Sequence, residues 1–446
     1  MSESRFAIAQ VTLDGIVEDA LSLAKSKGAT DAEAEASEGY GQSVSVRKGK
    51  VENIEYNRDK GLGVTVYVGR NKGSASTSDL SRKAISDAVD AALSIARFTA
   101  DDEAAGLADE DLICRDAPDL DLFHPWDLPV EEGIEIARAC EAAAFRLDKR
   151  IVNSEGAGVS CQQHHFALGN SRGFRGGYPS SRHYISCAVI AAERGAMQRD
   201  DWYVTGRARE ELATPESVGE YAGRRTLARL RSRKLDTRQS PVLFEAPIAS
   251  SLVSHFVSAV SGGSLYRKSS FLLDSLGKEI FSPIVNISEL PHIPRGQASG
   301  WFDDDGVATK DREVVRNGRV EGYFLGSYSA RKLGMRTTGN AGGNHNLILR
   351  SGEEDLDALL RRMGRGLLVT ELMGQGINMV TGDYSRGAAG YWVEGGVIAY
   401  PVEEITIAGN LRDMFRSIVA IGNDVLVRGS RSSGSILLER MTIAGS

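Results

Sequence analysis

The run GYWVEGGVIAYPVEEITIAG, Gly390 to Gly409, consists of two apolar, strand-length segments hinged at Gly395-Gly396. Aromatic and β-branched residues suit a pleated, half-buried surface, and paired glycines supply the backbone freedom of a tight turn. The texture continues on both sides. FDDDGVAT (302–309), NGRVEGYFLGSYSARKLG (317–334), TGNAGG (338–343) and LLVTELMGQGINMVTGDYSRGAAG (367–390) precede it, and EITIAGNLRDMF (404–415) and GNDV (422–425) follow. Each is a short apolar segment cut by glycine, with Asp and Asn at turn positions. Only two helices are expected here, over 247–260 and 353–367. In the second, Ser351 and Glu354 form a capping-box pair and Leu356, Leu359, Leu360, Met363 and Leu367 share a face. Residues 236–446 therefore read as a β-rich, Gly-punctuated C-terminal domain.

Upstream, the pattern alternates between helical and strand periods. A helix is expected over 13–27, with Leu13, Ile16, Val17, Ala20, Leu21 and Ala24 on one face and Gly28 as its stop. VSVRKGKVENIEY (44–56) predicts a hairpin turning at Lys48-Gly49-Lys50. GLGVTVYVG (61–69) predicts a second strand pair with KGSASTSD (72–79). Further helices are expected over 80–97, 128–147 and 215–230, with strands at Val152, 161–168 and 183–192. The acidic stretch 100–127 reads as a linker. The fold class is α+β: an N-terminal α+β domain (1–120), a middle α+β domain (121–235), both with antiparallel strands and flanking helices, and the β-rich domain (236–446).

Of 446 residues, 41% are apolar and 25% charged, a globular balance with room for a core of ordinary size. The net charge of -7 argues against nucleic acid as a partner. The basic run from Arg224 to Lys234 lies at an expected helix end, where cations complement the helix dipole. Cys114, Cys140, Cys161 and Cys187 form no CxxC pair and read as reduced thiols. Residues 1–10 lack a basic region followed by an apolar core, and no stretch of eighteen apolar residues occurs. The expectation is a cytoplasmic protein with no membrane partner.

Familiar catalytic motifs are missing. GGSLYRKS (262–269) comes nearest to a phosphate loop, but Arg267 stands where the second glycine is required. DDDG (303–306) is similar to a calcium loop, yet Trp301 and Arg312 occupy positions that need oxygen ligands. His164 and His165 are neighbours in an expected strand, so they point to opposite faces. His255 lies on an expected helix with no acid or second histidine one turn away. The residues alone assign no catalytic and no metal-ligating side chain.

The ordered C-terminal segments resemble the TldD/TldE (PmbA) family, once described as modulators of DNA gyrase. GGSLYRKSS (262–270), FLLDSLGKEIFSP (271–283) and MVTGDYSRGAAGYWVE (379–394) are similar to its TldE branch. The family's TldD branch carries His-Glu-x-x-x-His on a helix and a cysteine nearer the C-terminus. Here the matching helix reads SLVSHFVSAVS (251–261). Ser254 and His255 stand at the His-Glu pair, Ala259 stands at the second His, and no cysteine follows Gly422. The resemblance therefore implies no cofactor in this chain and a zinc in a TldD-like catalytic partner. It also implies a heterodimer that degrades unstructured peptides such as leader peptides and labile antitoxins; whether the isolated chain forms a homodimer stays open.

Two alternatives stay open at this level: a peptidase with an unconventional metal or nucleophile, and a non-proteolytic regulator binding gyrase or an RNA regulator. For substrate contact the polar runs Tyr266-Arg267-Lys268 and Asp383-Tyr384-Ser385-Arg386 are the candidates, a salt-bridged turn being their structural reading. A β-rich domain also offers strand edges. An extended peptide could add a strand there, with Gly342, Gly343, Gly374 and Gly376 letting the backbones approach.

Overall fold

A computed structural model describes residues 6–445. The chain forms two compact units. One runs through Leu227 and takes in Trp301–Ala308; the other holds Ala228–Gly300 and the chain from Thr309 onward. The mixture of sheets and helices is the expected α+β class.

The first unit contains α1 (Gln10–Ser26), β1 (Asp31–Arg47), β2 (Lys50–Val68), β3 (Asn71–Thr77), α2 (Arg82–Phe98), α3 (Val130–Leu147), β4 (Ile151–Asn170), β5 (Arg175–Gly176), β6 (Pro179–Glu193), β7 (Ala196–Gly206) and most of α4 (Pro215–Ala228). Its strands form an antiparallel sheet in the order β3-β2-β1-β4-β6-β7, with β5 paired to β4. The expected turn at Lys48-Gly49 is present. Both residues have positive φ, 52° and 71°, the backbone of a two-residue hairpin. The buried Glu141 carboxylate on α3 accepts from both turn amides at 2.8 and 2.7 Å. The two expected hairpins share one long strand, since β2 pairs β1 over its whole length and β3 at its far end.

Strand alternation sorts β1 cleanly. Ala32, Ala34 and Ala36 point into a core with Leu62, Val64 and Val66 of β2, Leu13, Val17 and Leu21 of α1, and Ile85, Val89 and Leu93 of α2. The small alanines let the two helices lie close to the sheet.

One sheet runs across the expected 120/121 boundary, since β1 pairs β4 from Glu33↔Asn170 to Val46↔Ala157. Two expectations need correcting. Stretch 100–127 is not a solvated linker. Leu107, Ala108, Leu120, Leu122 and Trp126 are buried, and the Leu122 carbonyl accepts from Ser181 N at 3.0 Å. Trp301–Ala308 belongs to the first unit: the Phe302 ring meets Phe174 and Phe166 edge-on, and Ala308 N donates to the Leu112 carbonyl at 2.8 Å.

The second unit contains β8 (Arg238–Phe244), α5 (Ala246–Ala259), α6 (Gly262–Tyr266), β9 (Ile287–Glu289), β10 (Arg312–Arg316), β11 (Arg319–Val320), α7 (Ser327–Lys332), β12 (Leu347–Leu349), α8 (Leu356–Met363), β13 (Gly366–Met373), β14 (Asp383–Glu394), β15 (Val397–Asn410), α9 (Leu411–Arg416), β16 (Ile418–Ile421), β17 (Leu426–Arg428), β18 (Arg431–Ser433) and β19 (Ile436–Ala444). One sheet of short strands runs β11-β10-β9-β12-β18-β17. The other runs β15-β14-β13-β8-β19-β16, and β15 pairs back to β19 through Thr406↔Ala444, Ile407↔Ile443 and Ala408↔Thr442. Five strands thus close a ring. The parallel pair β8–β13 lies inside it, and Val242, Leu243 and Phe244 of β8 are all fully buried. A continuous apolar run is what a strand covered on both faces requires.

The expected hairpin over 390–409 forms as β14 and β15 around Gly395-Gly396. Helix 353–367 is shorter than expected. Its cap is Asp355, which accepts from Ala358 N at 2.7 Å; Gly364 ends it at φ 65°, and Leu367 lies in β13. The Ser351–Glu354 capping box does not form, because a nearer side chain takes that role. Among the described residues no helix is long and apolar enough to cross a membrane.

Candidate functional site

On the first unit the face of the sheet opposite α1 and α2 carries small and polar residues at alternate positions. Ser37, Gly39 and Gly41 of β1, Gly61 and Gly63 of β2 and Ser160 of β4 contribute to this open face. Two concavities, of about 870 and 1030 Å³, lie on it. They share Ser37, Lys60 and Gly61 and so adjoin as one trough. His164 and Arg182 line one part; Glu33, Glu35 and Asp304 line the other. Burial pushes the Glu33 carboxyl up to about 6 against the pull of Lys72, with Asp305 and Asp304 adding to the rise. His165, as its strand position requires, turns the other way: it is buried, stacks on Phe6 and reaches Glu38 Oε2 at 3.4 Å.

The second unit holds a different arrangement around His255. Pro247 sits in the first turn of α5, where its missing N–H costs nothing. Leu252, Phe256 and Ala259 fix the buried face of the helix. His255 meets the Tyr384 ring edge-on, with centroids 6.0 Å apart. Burial lowers the imidazole pKa to about 4, and Arg386 and Arg431 push in the same direction. Burial raises the Tyr384 phenol to about 12 against the opposing Arg386 charge. His255 Nε2, the Tyr384 hydroxyl, Arg386 Nε and Arg431 Nε are all buried atoms without a hydrogen-bond partner.

A zinc requires converging anionic or neutral donors. At the histidine positions implied by the resemblance, Ser254 donates its hydroxyl proton to the Ser250 carbonyl at 3.0 Å and Ala259 has no donor atom; His255, at the Glu position, feels the charges of two guanidinium groups. Two cations beside the single imidazole repel a dication, so these residues do not fit a zinc site.

The sequence-selected polar runs behave unlike single patches. Strand alternation splits the second. Tyr384 is buried with Ala388 in the core and Arg386 shares that face, whereas Asp383 and Ser385 are exposed on the other. Asp383 accepts from Thr381 Oγ1 at 2.6 Å and Asn410 Nδ2 at 3.1 Å, a structural turn. In the first run Arg267 donates to the Tyr266 hydroxyl at 3.0 Å, Tyr266 packs on Tyr328, and Lys268 has φ 55°. Among the described residues no hydrogen bond or ring contact joins the two runs. Arg431 was missed because it is 176 positions from His255 in the sequence. The trough was missed too, although the period-two Gly/Ser pattern over 35–45 was a readable signal.

The expected free strand edges in the C-terminal ring are occupied. β13, β14, β8 and β19 each pair on both sides, and Gly376 approaches β14 of its own chain, with Ser385 N donating to its carbonyl at 2.7 Å. The basic run after α4 is likewise engaged. Arg224 pairs with Glu220 at 2.8 Å, Arg229 with Glu371 at 2.5 Å and Lys234 with Glu404 at 2.7 Å.

Comparison with known proteins matches the chain in three stretches. Residues 32–96 match the PmbA/TldA metallopeptidase domain 1, 123–230 the central domain and 237–445 the C-terminal domain. Metalloprotease PmbA of Escherichia coli O157:H7 is 52% identical over 433 residues, covering 97% of this chain and 96% of that protein. Its Haemophilus influenzae homolog is 49% identical, covering 96% and 94%. A solved structure from Bacteroides thetaiotaomicron, described as a modulator of DNA gyrase, superposes with a TM-score of 0.93 at 28% identity over 98% of this chain and 100% of that one. TldE from Thermococcus kodakarensis, at 18% identity, shares the fold with a TM-score of 0.84 over 96% and 100%. The chain belongs to the PmbA/TldA metallopeptidase family.

Proposed function

We propose that this chain is the zinc-free subunit of a heteromeric TldD–TldE-type metallopeptidase that degrades unstructured peptides, with the catalytic zinc in a TldD-like partner. One observation carries the reading: Ser254 and Ala259 stand at the two histidine positions, and His255 beside them feels the positive charges of Arg386 and Arg431, a setting hostile to a dication. The family supplies protease chemistry, and Ser254, His255 and Ala259 do not fit a metal. No step of hydrolysis is therefore assigned to them.

The part left to this chain is binding. The trough on the first unit is floored by residues whose side chains occupy little space, so an extended backbone can lie on it. Leader peptides and labile antitoxins are substrates of that kind.

The test incubates an unfolded protein and its folded form with this chain, with the TldD-like chain, and with the mixture. Cleavage of the unfolded form by the mixture alone is expected. Chelator-sensitive cleavage by this chain alone would remove the proposal.

A further inference from the structure

The second unit deals with its other buried charge thoroughly. Glu289, nearly inaccessible, pairs with Arg312 at 2.6 Å and accepts from Asn340 Nδ2 at 2.9 Å and His345 N at 2.7 Å. Arg312 also donates to the Tyr323 carbonyl at 2.7 Å and Asn340 Oδ1 at 3.0 Å. Every direction is filled, as buried ionic groups require.

The His255 cluster departs from that rule within the same unit. Arg386 and Arg431 have no carboxylate partner among the described residues, and Arg431 is held only by Asn344 Oδ1 at 3.2 Å. The Tyr384 hydroxyl, on a side chain 1% exposed, has nothing to donate to. His255 Nε2 is orphaned beside it, as is Thr370 Oγ1 on the adjacent β13. Each can donate, the two hydroxyls can also accept, and the set carries two positive charges with no negative one. His255, Arg386 and Arg431 are only half-buried, so an anion can reach the guanidinium groups from solvent.

We propose that α5, β14 and β18 form a carboxylate-binding site, in which Arg386 and Arg431 hold the anion while Tyr384 Oη and His255 Nε2 donate to it. A planar guanidinium matches a carboxylate, and charge-assisted hydrogen bonds are the stronger kind. The occupant favoured is the C-terminal carboxylate of an extended peptide; this choice of source rests on the peptidase reading, whereas the site rests on the side chains alone. At neutral pH His255 is uncharged and serves as a donor of direction rather than as a third cation.

The test uses the full chain by itself, so it does not depend on whether the mixture cleaves anything. Melting temperature is followed with sodium acetate and, as controls, acetamide and sodium chloride. Binding of a short unstructured labelled peptide is compared between its free C-terminal acid and its C-terminal amide. Acetate is expected to raise the melting temperature where acetamide and chloride do not, and the acid to bind about tenfold or more tighter than the amide. Arg386→Gln and Arg431→Gln should each abolish both differences. Tyr384→Phe should shrink the acid preference by about threefold to tenfold. Arg386→Lys retains charge and keeps the question answerable if the glutamine variant does not fold. An acetate effect lost in the variants, with acid and amide peptides binding alike, keeps the carboxylate site and assigns it to a side-chain carboxylate of a partner chain. Acetate and acetamide acting alike in the unaltered chain, or acetate effects surviving both arginine variants, overturn the proposal.

Discussion

On the open face of the first unit, a Cβ added at Gly61 would come no nearer than 3.6 Å to the Thr77 carbonyl, and one added at Gly63 would meet nothing within 4 Å. In the closed ring of the second unit, a Cβ added at Gly390 would sit 1.9 Å from the Leu368 carbonyl, and one at Gly376 1.8 Å from that of Ser385. The same residue type does opposite work. In the ring, glycine lets the chain meet itself; on the open sheet, it leaves space that the chain does not fill. Glycines that back onto a neighbouring strand mark a scaffold, whereas glycines that face emptiness leave room for something else. In the second unit it is the cluster of unpartnered donors at His255 that leaves such room.

The comparison is tested most severely in the ring. Trp392 is 1% exposed and donates to Glu394 Oε1 at 2.9 Å, with Arg238 and Arg365 over its ring. Trp392→Ala should cost about 3–5 kcal/mol, as large-to-small core changes do. Urea denaturation together with amide exchange in β13 and β14 would read it. A cost below about 1 kcal/mol would show that the ring is not a packed scaffold.

Acid should act with opposite sign at the two sites. His255 titrates near 4 when folded and near 6.5 when unfolded. The folded chain thus binds fewer protons over that window, and acidification from roughly 6.5 to 4 should remove about 3 kcal/mol of stability. Glu33 titrates near 6 folded and 4.5 in its ordinary state, so it binds more protons when folded. Its contribution improves by about 2 kcal/mol as pH falls from roughly 6 to 4.5. Denaturation curves of His255→Gln and Glu33→Gln against the unaltered chain would isolate each. The first variant should lose less stability in acid than the parent, the second should gain less. Parallel curves would refute both assignments.

A smaller effect separates the glycines themselves. Gly390→Ala should cost about 1–3 kcal/mol through overpacking against backbone. Gly63→Ala should leave stability unchanged or raise it by roughly 0.5 kcal/mol, since alanine loses less freedom in a strand. Equal destabilisation by both, measured by thermal unfolding, would erase the distinction between the two regions.

Much of the local structure was legible beforehand. The α1 face from Leu13 to Ala24 and the Lys48-Gly49 turn appear where periodicity and turn chemistry placed them. The cap of α8 was misassigned by four residues because Ser351 and Asp355 both precede the same apolar face, and only Asp355 meets the first-turn amide. The polar run 383–386 was legible as polar but not as two-sided, because its strand phase depends on pairing with β15.

What the sequence determined by itself is therefore what short range can specify: helices from a 3.6-residue period, turns from positive-φ glycine and lysine, family membership from ordered segments, and the missing donors at Ser254 and Ala259. Three features waited for the tertiary structure. Residues 406–408 pair with 442–444 to close the ring, Trp301–Ala308 joins the first unit, and Arg386 and Arg431 come to face His255. Each joins residues far apart in the chain, and no local pattern records which distant strand a strand will meet. That choice is made by burying the apolar faces of all the strands at once.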